Sequence, residues 1–393
     1  MAASLLALLA AVLLPMGPTS AGDTKIHLLL TGDIYPCPVI TLCAVDPIYD
    51  YTPIQTREIP YQQARKYSRI YFPRTRRELL NYSILFFVDG DMSVFTGRQV
   101  EMMLDAVEKG GVGTFWTFGP NYGSVMSCDL SKVIPHDVSR EFNQWAWGLS
   151  FYRVRFRRGL PPVFTPFIEL GVENARAYGC GQIVPREGAT IWGDLVPFGW
   201  PWMASWRYGG GGLCWVAADD LDHPFWERTT YGFSENKFSI DIMANIITYT
   251  VGRKLPDDVL LPIQIRREFQ GYLEGKGLFT ATLEFVEKFG AKTSDLYEDL
   301  LELEAGPVSQ AEKSYFEGRY EDALSEIRAA NRRVETLVDL ALKARERALV
   351  WIFAIEWLVV SSTSMLSGFV LWSLMVRRRA YKEVGTTRLA SPQ

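Results

Sequence analysis

Residues 83–119 read SILFFVDGDMSVFTGRQVEMMLDAVEKGGVGTFWTFG, and this stretch decides the fold. The continuous apolar runs 83–88 and 112–118 each end at Gly or Asp, which is typical of strands buried on both faces. Between them, apolar residues recur at helical spacing: Val100, Met103, Leu104 and Val107. Thr96 is placed to cap this helix, and Gly110-Gly111 to end it. A strand, a helix and a strand form a βαβ unit, which predicts a parallel sheet covered by helices.

Two more apolar runs predict further strands of the same sheet. The run 25–30 ends at Thr31-Gly32-Asp33, and the run 213–218 ends at Asp219-Asp220. The pattern over 238–251 predicts the last helix of the domain. The sequence therefore predicts an α/β domain over 22–256, with a mostly parallel sheet and helices on both faces.

This region also carries a family resemblance. Its residues are Ile70-Tyr71-Phe72-Pro73-Arg74-Thr75, Glu78-Leu79-Leu80, Tyr82, Phe95-Thr96, Arg98-Gln99, Met102, Val107 and Gly110-Gly111, then Gly209 to Asp219 and Trp226. They resemble a glutamine amidotransferase family, a divergent branch of the class I glutamine amidotransferase-like fold that is related to trehalose-utilisation proteins. The resemblance covers about 25–253, is weakest over 142–188, and implies a flavodoxin-like domain.

The residues for amidotransferase chemistry do not follow the family pattern. That chemistry needs a Cys nucleophile on a tight turn after a strand, with a His base and a carboxylate that orients it. The expected turn, Gly119-Pro120-Asn121-Tyr122-Gly123, has neither Cys nor Ser, and His223-Pro224-Phe225 replaces the family's His-Pro-Glu. The resemblance therefore implies the fold without this activity, and no catalytic residue is assigned.

Acidic residues follow the predicted strands: Asp33, Asp89, Asp91, Asp219, Asp220 and Asp222, with His223 and Glu227 near the last of them. Ligands of open α/β sheets bind beyond the carboxyl ends of the strands. A cluster of carboxylates there would suit Ca²⁺ or Mg²⁺, which makes a divalent cation the candidate cofactor. The alternative is that Asp and Gly only terminate the strands.

Aromatic residues crowd another stretch, with Trp200, Trp202 and Trp206 as candidates for an exposed surface that stacks on sugars. Packing or a protein interface is the alternative explanation. Asn81-Tyr82-Ser83 matches the glycosylation sequon.

The chain's C-terminal part predicts a membrane span. Residues 348–376 carry a single charge, Glu356, and Arg377-Arg378-Arg379 follows at once. Trp357 to Val376 is long enough to cross the hydrocarbon core, and the arginines favour a cytoplasmic tail over 377–393. A buried helix of a soluble core is the alternative.

The N-terminus predicts export. Residues 1–21 contain an apolar run, two prolines and a small-residue end at Thr19-Ser20-Ala21, the pattern of a cleaved signal peptide. An uncleaved anchor is the alternative.

Residues 257–347 show apolar residues at helical spacing and predict a helical stalk. Gly306-Pro307 is predicted to end one helix of this stalk. A later helix is predicted to start near Asp322 and to run unbroken into the membrane span.

Composition narrows the function. The 393 residues carry 41 Lys and Arg, 45 Asp and Glu and only three His, which argues against a nucleic-acid partner and leaves little for zinc or His-based catalysis. Five cysteines allow Cys37–Cys43 and Cys128–Cys180 pairs, with Cys214 as a buried thiol.

The sequence thus predicts a single-pass cell-membrane protein with its N-terminal domain outside. We expect a non-catalytic binding or assembly subunit that contacts the bilayer and other surface or membrane proteins, a homo-oligomer being one option. The alternative is a metal- or carbohydrate-dependent enzyme, or a sugar-binding protein, that uses the aspartates at the strand ends.

Overall fold

The computed structural model describes residues 25–35, 37–119, 121–137, 145–221, 223, 225–226, 236–289 and 293–388. The chain divides into two compact units, Met1–Gln270 with Ala311–Leu324, and Gly271–Gln310 with Ser325–Gln393. The predicted leader over 1–21 lies outside the described residues. Residues 257–270 and 311–324, which the sequence assigned to the stalk, belong to the unit that contains the sheet.

The first unit is built on a nine-stranded sheet. Its strands are β1 Ile26–Gly32, β2 Tyr49–Gln55, β3 Ile84–Val88, β4 Gly113–Thr117, β5 Trp145–Phe156, β6 Arg176–Gly181, β7 Thr190–Val196, β8 Trp200–Arg207 and β9 Leu213–Ala217. Their order is β2-β1-β3-β4-β9-β8-β7-β5-β6. The first five are parallel and the pairings from β9 to β6 are antiparallel. The sheet is therefore mixed, which corrects the prediction of a mostly parallel one.

Helices connect and follow these strands. Those before residue 257 are α1 Pro38–Val45, α2 Tyr61–Tyr71, α3 Arg76–Leu79, α4 Gly97–Gly110, α5 Tyr122–Met126, α6 Thr165–Glu169 and α7 Ser239–Thr250. Short 3-10 turns span Met92–Val94, Asp129–Val133 and Val172–Asn174. Later helices are α8 Leu260–Glu287, α9 Ser294–Leu303, α10 Ser309–Phe316 and α11 Tyr320–Arg388.

The central βαβ unit forms as predicted. Thr96 accepts a hydrogen bond from the Gln99 backbone N–H, and the Gln99 side chain accepts one from the Thr96 N–H, which completes a capping box. At the other end Gly111 adopts a φ of 75°, the left-handed conformation that ends many helices.

The core lies along the central strands. All residues of β3, β4 and β9 are buried. Phe87 of β3 stacks on Trp116 of β4, with ring centroids 3.8 Å apart. Each large apolar side chain buried in this way contributes about 2 kcal/mol. The continuous apolar runs were therefore a reliable sign of these strands.

A buried ionic cluster lies elsewhere in the first unit. Arg266 of α8 contacts Asp241 of α7 at 2.7 Å and Asp46, which follows α1, at 3.2 Å. Tyr315 of α10 donates a hydrogen bond of 2.9 Å to Asp46 and accepts one from Arg266. The cluster thus holds together helices that are distant in sequence.

The second unit is helical. A π-helical turn, Glu304–Val308, joins α9 to α10 and contains Pro307, so the predicted stop at Gly306-Pro307 is a widened turn. Helix α11 is unbroken, as predicted. Among the described residues one helix, over Tyr320–Tyr381, is long and apolar enough to cross a membrane, and its apolar window has no buried residue.

Candidate functional site

The best-defined polar cluster lies at the carboxyl ends of the parallel strands. Asp33 follows β1, Asp89 follows β3 and Asp220 follows β9, and the structure brings their carboxylates around one guanidinium. The Nη1 atom of Arg57 lies 3.2 Å from the nearer oxygens of Asp89 and Asp220, and 3.6 Å from Asp33. The three Asp side chains are at most 8% exposed and Arg57 is 21% exposed. We call these four residues the Arg57 cluster.

Arg57 belongs to the cluster but carries no recognisable signal in the sequence. It lies just beyond β2, a strand whose sequence YDYTPIQ has no continuous apolar run. Its position beside β1 in the sheet carries the guanidinium to the ends of the neighbouring strands. Three carboxylates converged as predicted, but their common partner is a side chain of the protein itself.

Asp89 is held on two sides. Its Oδ1 accepts hydrogen bonds from the backbone N–H groups of Gly119 and Asn121, at 2.8 and 3.0 Å. The Asn121 side chain donates to the Asp89 carbonyl oxygen at 2.9 Å. Asp89 itself adopts a φ of 44°, a left-handed conformation that Asp tolerates better than most residues.

These contacts occupy the turn after β4, where the family resemblance would place a nucleophile. A Cβ atom added to Gly119 would lie 2.7 Å from the Asp89 carboxyl, so only glycine fits against it. Backbone N–H groups that could stabilise an oxyanion are already bound to Asp89. The turn is therefore joined to the Arg57 cluster through Gly119 and Asn121.

Asp220 completes the cluster from the far side. Its Oδ1 accepts hydrogen bonds from the Thr117 hydroxyl at 2.7 Å and from the Leu221 backbone N–H at 2.9 Å. Thr117 is the last residue of β4, so Asp220 joins the ends of two neighbouring strands. Thr117 was a second residue without a sequence signal.

Charge in the cluster is only partly balanced, since three carboxylates share one guanidinium. Burial and the neighbouring Asp220 raise the pKa of Asp89 to about 7, although Arg57 lowers it. Burial also raises the pKa of Asp33, against the opposing effect of Arg57. The cluster therefore holds a proton on Asp89 near neutral pH.

Among the described residues, no group of three or more His, Cys, Asp and Glu is arranged to hold a metal ion. Asp91 points elsewhere, because its Oδ1 accepts a hydrogen bond from Ser93 at the start of a 3-10 turn. Asp222 and Glu227 lie outside the described residues.

Asp219 and His223 form a separate pair. Asp219 Oδ1 lies 2.5 Å from His223 Nδ1. The backbone of Asp219 bridges Cys180, and burial together with the Asp219 charge raises the pKa of that thiol to about 12. Cys180 therefore stays protonated and is a poor nucleophile.

The structure also places the remaining cysteines. The structure has no disulfide at any of the five cysteines, so neither the Cys37–Cys43 nor the Cys128–Cys180 pair considered from the sequence is formed. Phe225, which follows His223-Pro224 in the sequence, is fully buried.

The aromatic stretch is mostly core. Trp202 is fully buried, which corrects its predicted place on an exposed surface. Trp206 is half-buried, with Arg186 5.4 Å above its ring and its Nε1 atom bonded to the Val133 carbonyl. Trp200 is half-buried against Phe198, at a centroid distance of 4.9 Å. No continuous stacking surface results from these three tryptophans.

Asn81 is exposed in a turn between α3 and β3. Its backbone N–H donates a hydrogen bond to the Glu78 carbonyl. Glycosylation of Asn81 stays a prediction.

No family model matches the chain, and no curated protein matches it.

Proposed function

We propose that the chain is a single-pass membrane protein whose N-terminal α/β domain lies outside the cell and serves as a non-catalytic binding or assembly subunit of a membrane complex. The observation that carries the proposal is the apolar part of α11. Between Leu349 and Val376 nearly every side chain is exposed, including three tryptophans: Trp351, Trp357 and Trp372. So large an apolar surface requires a lipid environment.

The orientation is inferred from the charges beside this segment. Arg377-Arg378-Arg379 follows it directly, and Lys and Arg beside a span favour the cytoplasmic side. The leader pattern over 1–21 supports the same topology. The compact unit with the sheet would then lie outside, and the tail inside.

The non-catalytic role is supported by the geometry at the strand ends. We assign the first unit to a divergent amidotransferase-like, flavodoxin-like fold, in which this edge would carry the chemistry. Here Arg57 fills the space between the carboxylates, and Asp89 binds the turn after β4. These contacts favour a structural role for the carboxyl ends of the strands over a substrate-binding role.

The metal- or sugar-dependent alternative has less support. A cation would have to displace Arg57, and Trp202 is inaccessible to a sugar. The metal-dependent alternative would be supported if elemental analysis of the purified chain found a bound divalent cation that the Asp89→Ala variant lacks.

Topology is tested with a specific protease. A cleavage site inserted at Gly159, in an exposed turn where an added Cβ meets nothing, should be cut by protease added to intact cells. An epitope at the C-terminus should remain protected until the cells are lysed. Cleavage at Gly159 only after lysis would show that the orientation is wrong.

An assembly role is tested by particle size. The full chain, extracted in mild detergent and isolated from its native membrane, should migrate as a complex larger than one chain in its micelle. A single chain, without other proteins, at every salt concentration tested would contradict the role while leaving the topology intact.

A further inference from the structure

Helix α2 presents a strongly basic face. The stretch 61–77, which begins with α2, contains six Lys and Arg and no acidic residue: Arg65, Lys66, Arg69, Arg74, Arg76 and Arg77. Ala64 and Ser68 are buried, so the opposite side of the helix points outward. That side carries the exposed Lys66 and Arg69, with Ile70 53% exposed beside them and the half-buried Arg65 at its margin. We call these four residues the basic face. The net charge of −4 for the whole chain conceals this local excess.

Helix α9, in the other compact unit, presents the opposite charge. Leu300 and Leu303 are buried, and the outward side carries Glu298, Asp299 and Glu302. Leu301 is 62% exposed among them. We call Glu298, Asp299, Leu301 and Glu302 the acidic face. Each face thus combines three like charges with one exposed aliphatic side chain.

Neither face is neutralised locally. Among the described residues, the ion pairs formed near α2 involve Arg76, which binds Asp105, and not Arg65, Lys66 or Arg69. Similarly, Glu298, Asp299 and Glu302 form no ion pair with any described residue, whereas the nearby Glu304 binds Lys276. Like charges spaced three and four residues apart repel each other on a helix, so each face gains from an oppositely charged partner.

We propose that copies of this chain associate through the basic face of one copy and the acidic face of another. This inference deepens, and rests on, the assembly role proposed above. We take a second copy of the chain as the partner of each face. Helix α9 of that copy is similar in length to α2, carries the complementary charge and exposes a matching aliphatic residue. Because the two faces differ, the contact is heterologous. It leaves one copy with a free acidic face and the other with a free basic face, so rings or rows of copies can form.

The strength of the contact follows from its composition. One helix face against another buries less than a stable soluble dimer needs, so the contact is weak in dilute solution. Confinement to a membrane raises the effective concentration of the faces and compensates for this weakness. Exposed charge pairs are screened by salt, so the association should be salt-sensitive.

The test uses charge reversal in the full chain in detergent or nanodiscs. Lys66→Glu with Arg69→Glu, or Glu298→Lys with Glu302→Lys, should weaken self-association at least about tenfold, measured by light scattering over a concentration series at low salt. Mixing the two variants should restore association, because the two intact faces are complementary to each other and the two reversed faces are complementary as well. A single chain that carries all four substitutions should regain the wild-type association, because its faces are again complementary.

The matched control is Arg332→Glu with Arg333→Glu, two exposed cations of α11 outside both faces, which should leave association unchanged. Restoration in the four-fold variant is the decisive result, since misfolding of either parent would not be repaired by adding the other.

Three outcomes would overturn the inference. The first is self-association that persists in both double variants, in which case the assembly role stands and only this contact is wrong. The second is failure of the four-fold variant to recover. The third is a chain that stays single but binds anionic vesicles through the basic face, which would show that the face serves a lipid surface.

Discussion

At the scale of single residues, Asp89 governs the edge of the sheet. Its carboxyl joins the turn after β4 to Arg57, and its raised pKa makes its protonation part of folding. The pKa of an Asp in the unfolded chain is about 4, so the folded protein binds the extra proton between about pH 4 and pH 7.

We therefore expect stability to fall as the pH rises through this range. The contribution of Asp89 is fully present below about pH 4 and is lost by about pH 7, a loss of up to about 4 kcal/mol. Asp89→Asn keeps the Oδ1 acceptor and should flatten the dependence. Denaturant unfolding of the purified chain, followed by tryptophan fluorescence from pH 4 to 8, measures both curves. Parallel curves for the two proteins would contradict the assigned pKa.

Gly119 gives a second prediction at this scale. Gly119→Ala would place its Cβ against the Asp89 carboxyl and should destabilise the first unit by about 1–3 kcal/mol. Gly123→Ala is the control, because an added Cβ there meets nothing within 4 Å and alanine favours a helix. Equal unfolding midpoints for the two variants would show that the Asp89–Gly119 contact is not tight.

At the scale of elements, the sequence predicted those strands whose burial is complete. The runs at β1, β3, β4 and β9 were found because both faces are covered and the apolar residues are continuous. Trp202 of β8 was predicted to lie on an exposed surface together with Trp200 and Trp206, although Trp202 and Met203 are fully buried. Strand β2 was missed because polar residues interrupt it.

The sequence predicted the aspartates of the candidate site but not Arg57, the cation that they share. An Asp after an apolar strand is a visible pattern, and parallel strands bring such residues together. Arg57 had no pattern, since its contact with Asp220 joins residues that are 163 positions apart. Long-range partners of this kind depend on strand order, which the sequence did not reveal for β5 to β9.

The ionic cluster around Arg266 yields the prediction at this scale. Arg266→Met removes the cation between Asp46 and Asp241, and a buried carboxylate without its partner costs about 3–5 kcal/mol. Arg319→Met removes only exposed pairs with Glu317 and Asp322 and should change little. Thermal unfolding compares the two, and similar melting temperatures would argue against a structural role for the buried cluster.

At the scale of the whole molecule, the exposed apolar segment of α11 is compatible with a membrane anchor. A chain that ends before Leu349 lacks this surface and should be recovered in the soluble fraction after an alkaline wash of the membranes. A chain that ends after Arg379 retains the segment with its arginines and should stay in the pellet, as the full chain does. Sedimentation of both truncated chains would show that another part of the protein binds the membrane.

The position of β9 has a consequence for how the chain matures. This strand is synthesised last among the nine, yet it lies between β4 and β8 in the middle of the sheet. Until residues 213–220 have been synthesised, β4 has β3 on one side but lacks β9 on the other. Arg57 also lacks the carboxylate of Asp220, one of its three counter-charges. If the chain is exported through a translocation channel from its N-terminus, the sheet would therefore remain incompletely folded for most of the export. Folding would be completed only when β9 pairs with β4 and β8.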